Sequence, residues 1–152
     1  MVTLESLYDI ADSEGVDILH CTFSKTKKAA CMCTGSGKHI LLDRAHIETT
    51  SEEKVILAEE ISHYETNAFY TVRSNVNERA ARCNRLRQEA KAQQHSYARI
   101  VPPNELAAFL QKNKTASVYD TAEHFEITYE CLERAINYYQ TKGYAFMFGA
   151  GE

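Results

Sequence analysis

Ala58-Glu59-Glu60-Ile61-Ser62-His63-Tyr64 lies inside a run, Ser51 to Ala68, whose apolar spacing reads as a helix. Residues four apart share a helix face, so Glu59 and His63 can converge on one ion. Ile56 precedes them on that side, and Glu60, one residue around, can reach the edge of the same site. Zinc accepts carboxylate oxygen as well as imidazole nitrogen, and a catalytic zinc site needs three protein ligands and an open position. Glu-x-x-x-His is also common on exposed helices. The plain alternative makes Glu59 and Glu60 part of a solvated acidic face with Glu52 and Glu53.

Working outward, the 152 residues are enough for one domain with a real core, and the 44% apolar and 25% charged shares are those of an ordinary soluble globular protein. A net charge of −4 argues against a broad electrostatic footprint for nucleic acid. No stretch approaches the apolar length of a membrane span, and Met1-Val2-Thr3-Leu4-Glu5 lacks the basic and apolar regions of a signal peptide. Five cysteines, Cys21, Cys31, Cys33, Cys83 and Cys131, form an odd set without a framework spacing, which predicts free thiols in a reducing cytoplasm.

The predicted elements give an α+β chain with a strand-rich first third and a helical remainder. Leu4, Leu7, Tyr8, Ile10 and Ala11 mark a short amphipathic helix over residues 3–13, ended by Gly15. Val16–Phe23, Ala29–Thr34 and His39–Asp43 read as three strands of a small antiparallel meander, with Gly35-Ser36-Gly37 as the turn between the last two. Thr50 and Glu53 form a capping-box pattern at the start of the central helix, and Asn67 stands near its end. A long helix over residues 75–100 is stopped by Pro102-Pro103, and Pro103 opens a short helix through Leu110. Residues 121–125 and 128–139 add two more helices, and 143–152 carries no assignment. One domain over residues 1–152, with the helical part from about 103 packed on it, is the economical organisation.

The Glu59–His63 helix has the spacing of an HExxH helix, where two ligands one turn apart flank a glutamate that activates water; Glu59 stands where the first histidine belongs. The order of the pieces extends the likeness. Ile56 to Tyr64, Gln88-Glu89, Tyr97, Ile100 to Pro102, Glu105-Leu106 and the tail "VYDTAEHFEITYECLERAINYY" together resemble the ImmA/IrrE-type metallopeptidases, in the branch carried by phages and mobile elements with "LAEExxHY" motifs. The resemblance covers nearly the whole chain. It implies a zincin-like metallopeptidase core and a metal held by two histidines of the motif and a glutamate of the next helix. By position, His63 matches the second histidine, Glu60 the water-activating glutamate and Glu89 the downstream ligand. A competing reading makes Glu89 an exposed carboxylate paired with Arg85.

The departure at Glu59 has physical consequences. A Glu59–His63–Glu89 set carries two negative charges, so zinc within it is formally neutralised and activates water less strongly. Oxygen-rich ligation moves preference from zinc toward manganese, magnesium or calcium. Without a cation, Glu59, Glu60 and Glu89 crowd one pocket, and at least one takes up a proton near neutrality.

Other residues carry weaker signals. His46, just before the central helix, is a loop histidine that reads as a bystander rather than a replacement ligand. His95 reads as packing. Cys31 and Cys33 point to one face of a strand and read as small buried side chains. His20, His39 and His124 have no evident partner. Arg79, Arg82, Arg85, Arg87 and Lys91 make the long helix basic, with a solvated face as the default. The helices near 121–139 resemble a helix-turn-helix, but five acids against two bases between Ser117 and Lys142 repel phosphate and disfavour DNA binding. Tyr119, Tyr129, Tyr138 and Tyr139 there suit packing or protein contact.

The resemblance implies a metal-dependent endopeptidase that cleaves a helix-turn-helix repressor controlling a phage or mobile element. A chain that has lost catalysis with its first motif histidine, needs no metal and serves as a protein-interaction module is the rival expectation.

Overall fold

The computed structural model describes residues 1–24, 26–69 and 77–149. Helix α1, Leu4–Ser13, begins at a reciprocal capping box between Thr3 and Ser6 and buries Leu7 and Ala11. Gly15 (φ +68°) takes the left-handed conformation that turns the chain from the helix into the first strand.

Strands β1 (Val16–His20), β2 (Ala29–Thr34) and β3 (Gly37–Leu42) form one sheet in the order β1-β3-β2. β2 and β3 pair antiparallel from Ala29↔Leu42 to Thr34↔Gly37. β1 pairs with β3 in parallel, from Val16↔Lys38 to His20↔Leu42. The sheet is therefore mixed, which corrects the expected antiparallel meander. Only Gly35-Ser36 is a tight turn. Between β1 and β3 the chain runs through β2, so β2 with its flanking links serves as the crossover that a parallel pair requires. Asp43 helps redirect the chain there: its buried carboxylate accepts the Phe23 N–H at 2.7 Å. That contact also accounts for β1 ending at His20 instead of Phe23.

Helix α2 (Thr50–Glu65) is capped by Thr49, whose hydroxyl accepts the Glu52 N–H at 3.1 Å, so the cap lies one residue before the expected Thr50. Glu53 does not return to the cap; it bonds Tyr8 and Arg44 instead. Two hydrogen bonds close α2, Ala68 N–H to His63 O and Asn67 N–H to Tyr64 O, with Asn67 left-handed at φ +49°. This is a Schellman arrangement, and it ends the helix three residues before the expected Ala68.

Helices α3 (Glu78–Ile100), α4 (Pro103–Lys112), α5 (Val118–Phe125) and α6 (Tyr129–Thr141) complete the described chain. The expected start of α3 at residue 75 lies outside the described residues. Pro103 opens α4, as the sequence predicts. Residues 143–149 are irregular, and Phe146 and Phe148 pack against the core. One hydrophobic cluster runs through Leu7, Ile40, Leu57, Ile61, Ile100, Leu106, Phe125 and Leu132, joining α1, the sheet and the helices. Among the described residues, no helix is long and apolar enough to cross a membrane.

Candidate metal centre

Apolar positions on α2 decide where its polar ones go. Leu57, Ala58 and Ile61 are fully buried and seat the helix between the sheet and α3. Tyr64 anchors it: its hydroxyl donates to the His39 carbonyl at 2.5 Å, accepts the Met32 and His39 backbone N–H groups, and lies 2.9 Å from the Met32 carbonyl oxygen. With α2 held in that way, Glu59 and His63 face α3, and Glu60 faces β2.

The structure brings Glu59, His63 and Glu89 together. One ligand atom from each lies within 4.8 Å of the others, so the group could hold a metal ion. His63 Nε2 is 3.5 Å from Glu89 Oε2. Zinc bonds of about 2.1 Å at tetrahedral angles separate neighbouring donors by roughly 3.4 Å. That pair therefore already has the span of two ligands on one ion, and Glu59 completes a group whose ligand atoms lie within 4.8 Å of one another.

The other imidazole nitrogen is also accounted for. His63 Nδ1 lies 2.7 Å from the Ala68 carbonyl oxygen, an acceptor only, so Nδ1 donates there and Nε2 is the nitrogen that faces Glu89. Metal-binding histidines are commonly held this way, with the second nitrogen donating to a carbonyl. The helix-ending turn supplies that carbonyl.

The acids are held and tuned by neighbours. Glu59 accepts a hydrogen bond from Gln93 Nε2 at 3.1 Å, one turn along α3 from Glu89. Burial raises the Glu59 pKa, and the nearby Glu60 and Glu89 charges push the same way against Gln93 and His63. Burial likewise raises Glu60, opposed by the Cys31 thiol, which donates to its carboxylate at 2.9 Å, and by His63 and Lys27. Behind Glu59, burial and the charges of Cys131 and Glu59 push Tyr97 up to about 12.

A cavity of about 330 Å³ opens beside the group, lined among others by Lys27, Ala30, Cys31, Glu60, His63 and Glu89. β2 forms one wall and lies at the edge of the sheet. Glu60 thus shares an open space with His63 and Glu89, while Glu59 is not among the lining residues and bonds Gln93 of α3.

These contacts change several readings of the sequence. Glu59 and Glu60 are not part of a solvated acidic face; Glu52 bonds Lys28 at 2.7 Å, and Glu53 is tied to Tyr8 and Arg44. Glu89 faces His63, and among the described residues no ion pair joins it to Arg85. His46 bonds Asp43 at 2.9 Å, away from the centre. His95 makes polar contacts, to Ser62 Oγ at 3.2 Å and to Glu65 at 3.4 Å, rather than packing alone. Cys33 is exposed, and Cys31 faces the cavity, so neither is simple core filling. His39 has partners in Thr34 and Ser36, and His124 stacks on Phe109 at 4.0 Å.

Sequence reasoning missed Cys31, Gln93 and the Ala68 carbonyl as parts of the centre. Gln93 had a signal in its spacing, one turn beyond Glu89. The other two depend on long-range packing and on a main-chain group, which no side-chain pattern encodes. The chain matches no protein-family model, no curated protein and no solved structure.

Proposed function

We propose that the chain is a metal-dependent endopeptidase of the ImmA/IrrE type with a zincin-like core, in which Glu59, His63 and Glu89 hold a divalent cation. The observation that carries this reading is the convergence of those three side chains from α2 and α3, with the His63 imidazole already oriented by Ala68. The donor set fits a divalent cation: one neutral nitrogen and two carboxylates, which admit zinc and favour manganese more than a two-histidine set does. When bound, the cation supplies a Lewis acid beside a scissile carbonyl.

The chain's own groups do the rest. Glu60 takes a proton from the attacking water and passes it to the leaving amine. Its raised proton affinity suits both halves of that task, because a base poised nearer neutrality also gives its proton back more readily. Cys31 holds the Glu60 carboxylate in place, and Ala30, Ala68 and Phe69 form the less polar part of the cavity wall. The edge of β2 offers main-chain groups against which an extended segment can lie. The substrate in this reading is a helix-turn-helix repressor of a phage or mobile element, and the site of action is the cytoplasm.

The experiment is a purified chain incubated with a panel of such repressors, with and without zinc or manganese. Metal-dependent scission that Glu60→Gln abolishes, with folding intact, supports the proposal. Retained scission in that variant removes Glu60 from its role. A second reading, a protein-interaction module without catalysis, is favoured by one observation: a carboxylate stands where the motif calls for a histidine. A well-folded chain that takes up no metal on elemental analysis decides for it.

A further inference from the structure

The N-terminal half of α3 runs out from the candidate metal centre as a basic rod. Arg79, Arg82, Arg85 and Arg87 fall between Glu78 and Gln88, where Glu78 is the only acid, in a chain whose net charge is −4. All four arginines are exposed, and no ion pair among the described residues involves them. Lys91 differs, since its amine donates to the Thr66 carbonyl and ties α3 to the end of α2.

Helix geometry connects these arginines to the site. Arg85 and Arg82 precede Glu89 by one and two turns, which places them on its face, about 6 and 10 Å along the helix axis. Glu89 itself faces His63. Lys27 adds a further positive group on the wall of the cavity. A segment lying across the cavity and along α3 therefore passes from a centre rich in carboxylates to a row of unpaired guanidinium groups. Guanidinium binds carboxylate with two parallel hydrogen bonds, which gives geometric preference as well as attraction.

We infer that Arg82 and Arg85 form a docking strip for an acidic segment of a protein partner, presenting the residues beside that segment to the cavity. This names a substrate class for the proposed centre and rests on that proposal for its purpose, though not for the binding itself. A nucleic acid meets the same positive strip, but the negative charge of the remainder of the molecule and the carboxylates beside Glu89 disfavour a long polyanion.

The test is fluorescence anisotropy at low salt with a labelled Asp/Glu-rich peptide, its Asn/Gln counterpart and a single-stranded oligonucleotide. The full chain, R82E/R85E, R82Q/R85Q and Glu89→Gln are compared, with zinc uptake measured on the same samples. The acidic peptide is expected to bind the full chain, to weaken by about tenfold or more in the charge-reversed pair, and to weaken with added salt. If charge reversal disturbs folding, the glutamine pair is read in its place and is expected to weaken binding in the same direction. Glu89→Gln is expected to keep peptide binding. Equal binding of acidic and neutral peptides, or no change in the arginine variants, overturns the inference. Tighter binding of the oligonucleotide than of the peptide also overturns it, in favour of nucleic acid. Peptide binding without zinc uptake by the full chain sinks the metal centre and leaves the strip standing.

Discussion

Helix α2 carries two ionic arrangements that are opposite in design, one buried and one half-buried. Near its start, Lys54 is 1% exposed; its ammonium donates to the Phe125 carbonyl at 2.6 Å and lies 3.6 Å from Glu126. Near its end, Glu59 and His63 meet Glu89 beside an open cavity. The first site encloses a positive charge that the chain brings itself, and it joins α2 to the end of α5. The second collects two carboxylates and an imidazole, and Lys27 stands on the wall of the neighbouring cavity. A buried charge held by a carbonyl and a carboxylate closes a structure. Two carboxylates beside an imidazole nitrogen form a group that could hold a cation.

The largest effect that sharpens this contrast is at Glu60. Glu60→Gln is expected to lower the cleavage rate by about 10²–10⁴-fold, the usual worth of a general base, with unchanged zinc uptake and thermal unfolding. Single-turnover assays beside a metal titration measure it, and an equal loss of metal and rate marks Glu60 as a ligand instead.

Lys54 tests the other half. Lys54→Ala leaves the Phe125 carbonyl unsatisfied and a void in the core, and is expected to destabilise the chain by about 2–4 kcal/mol. Urea unfolding gives the value, and zinc stoichiometry per folded chain should not move. Loss of both together would show that the two sites are a single unit.

A smaller effect concerns the ligand set. Glu59→His exchanges a carboxylate for an imidazole and is expected to raise the preference for zinc over manganese by about tenfold in competition titrations. An unchanged preference removes Glu59 from the set.

The smallest effect is in pH. Asp43 has its pKa lowered by the Phe23 N–H and by His46. A carboxyl with a depressed folded-state pKa contributes stability above the ordinary carboxylate range, and that stability is lost as pH falls through the folded value. Acid unfolding of Asp43→Asn should therefore begin from a lower stability near neutrality and show a shallower loss below about pH 4 than the parent. Identical acid profiles would contradict it.

Much of this organisation is legible in the chain, and the exceptions have physical reasons. The i, i+4 spacing of Glu59 and His63 locates one face of a helix, whereas the position of Glu89 beside His63 depends on how α3 packs on α2. Pro103 and Gly15 mark their boundaries because few residues share their backbone restrictions. The pairing of β1 was not legible, since a five-residue strand with partial burial fits either direction and only the length of the link to β2 distinguishes them. Lys54 escaped notice because a lysine in the first turns of a helix usually reaches water; its burial depends on α5, far away in sequence. Cys31 was read as filler because a half-buried thiol shows its partner only when the facing helix is in place.

The turn that closes α2 has a consequence for how this centre can vary. Ala68 touches His63 twice, giving its N–H to the His63 oxygen and receiving the imidazole proton on its own oxygen. Both contacts use the main chain of Ala68, so exchanging its methyl for another small group leaves the imidazole aimed as before. The vulnerable position is its neighbour, Asn67, which tolerates a backbone twist that valine or isoleucine resists. The orientation of a would-be ligand is thus inherited from a residue that never meets the ion, and drift at that residue could silence the centre while every ligand stays in the sequence.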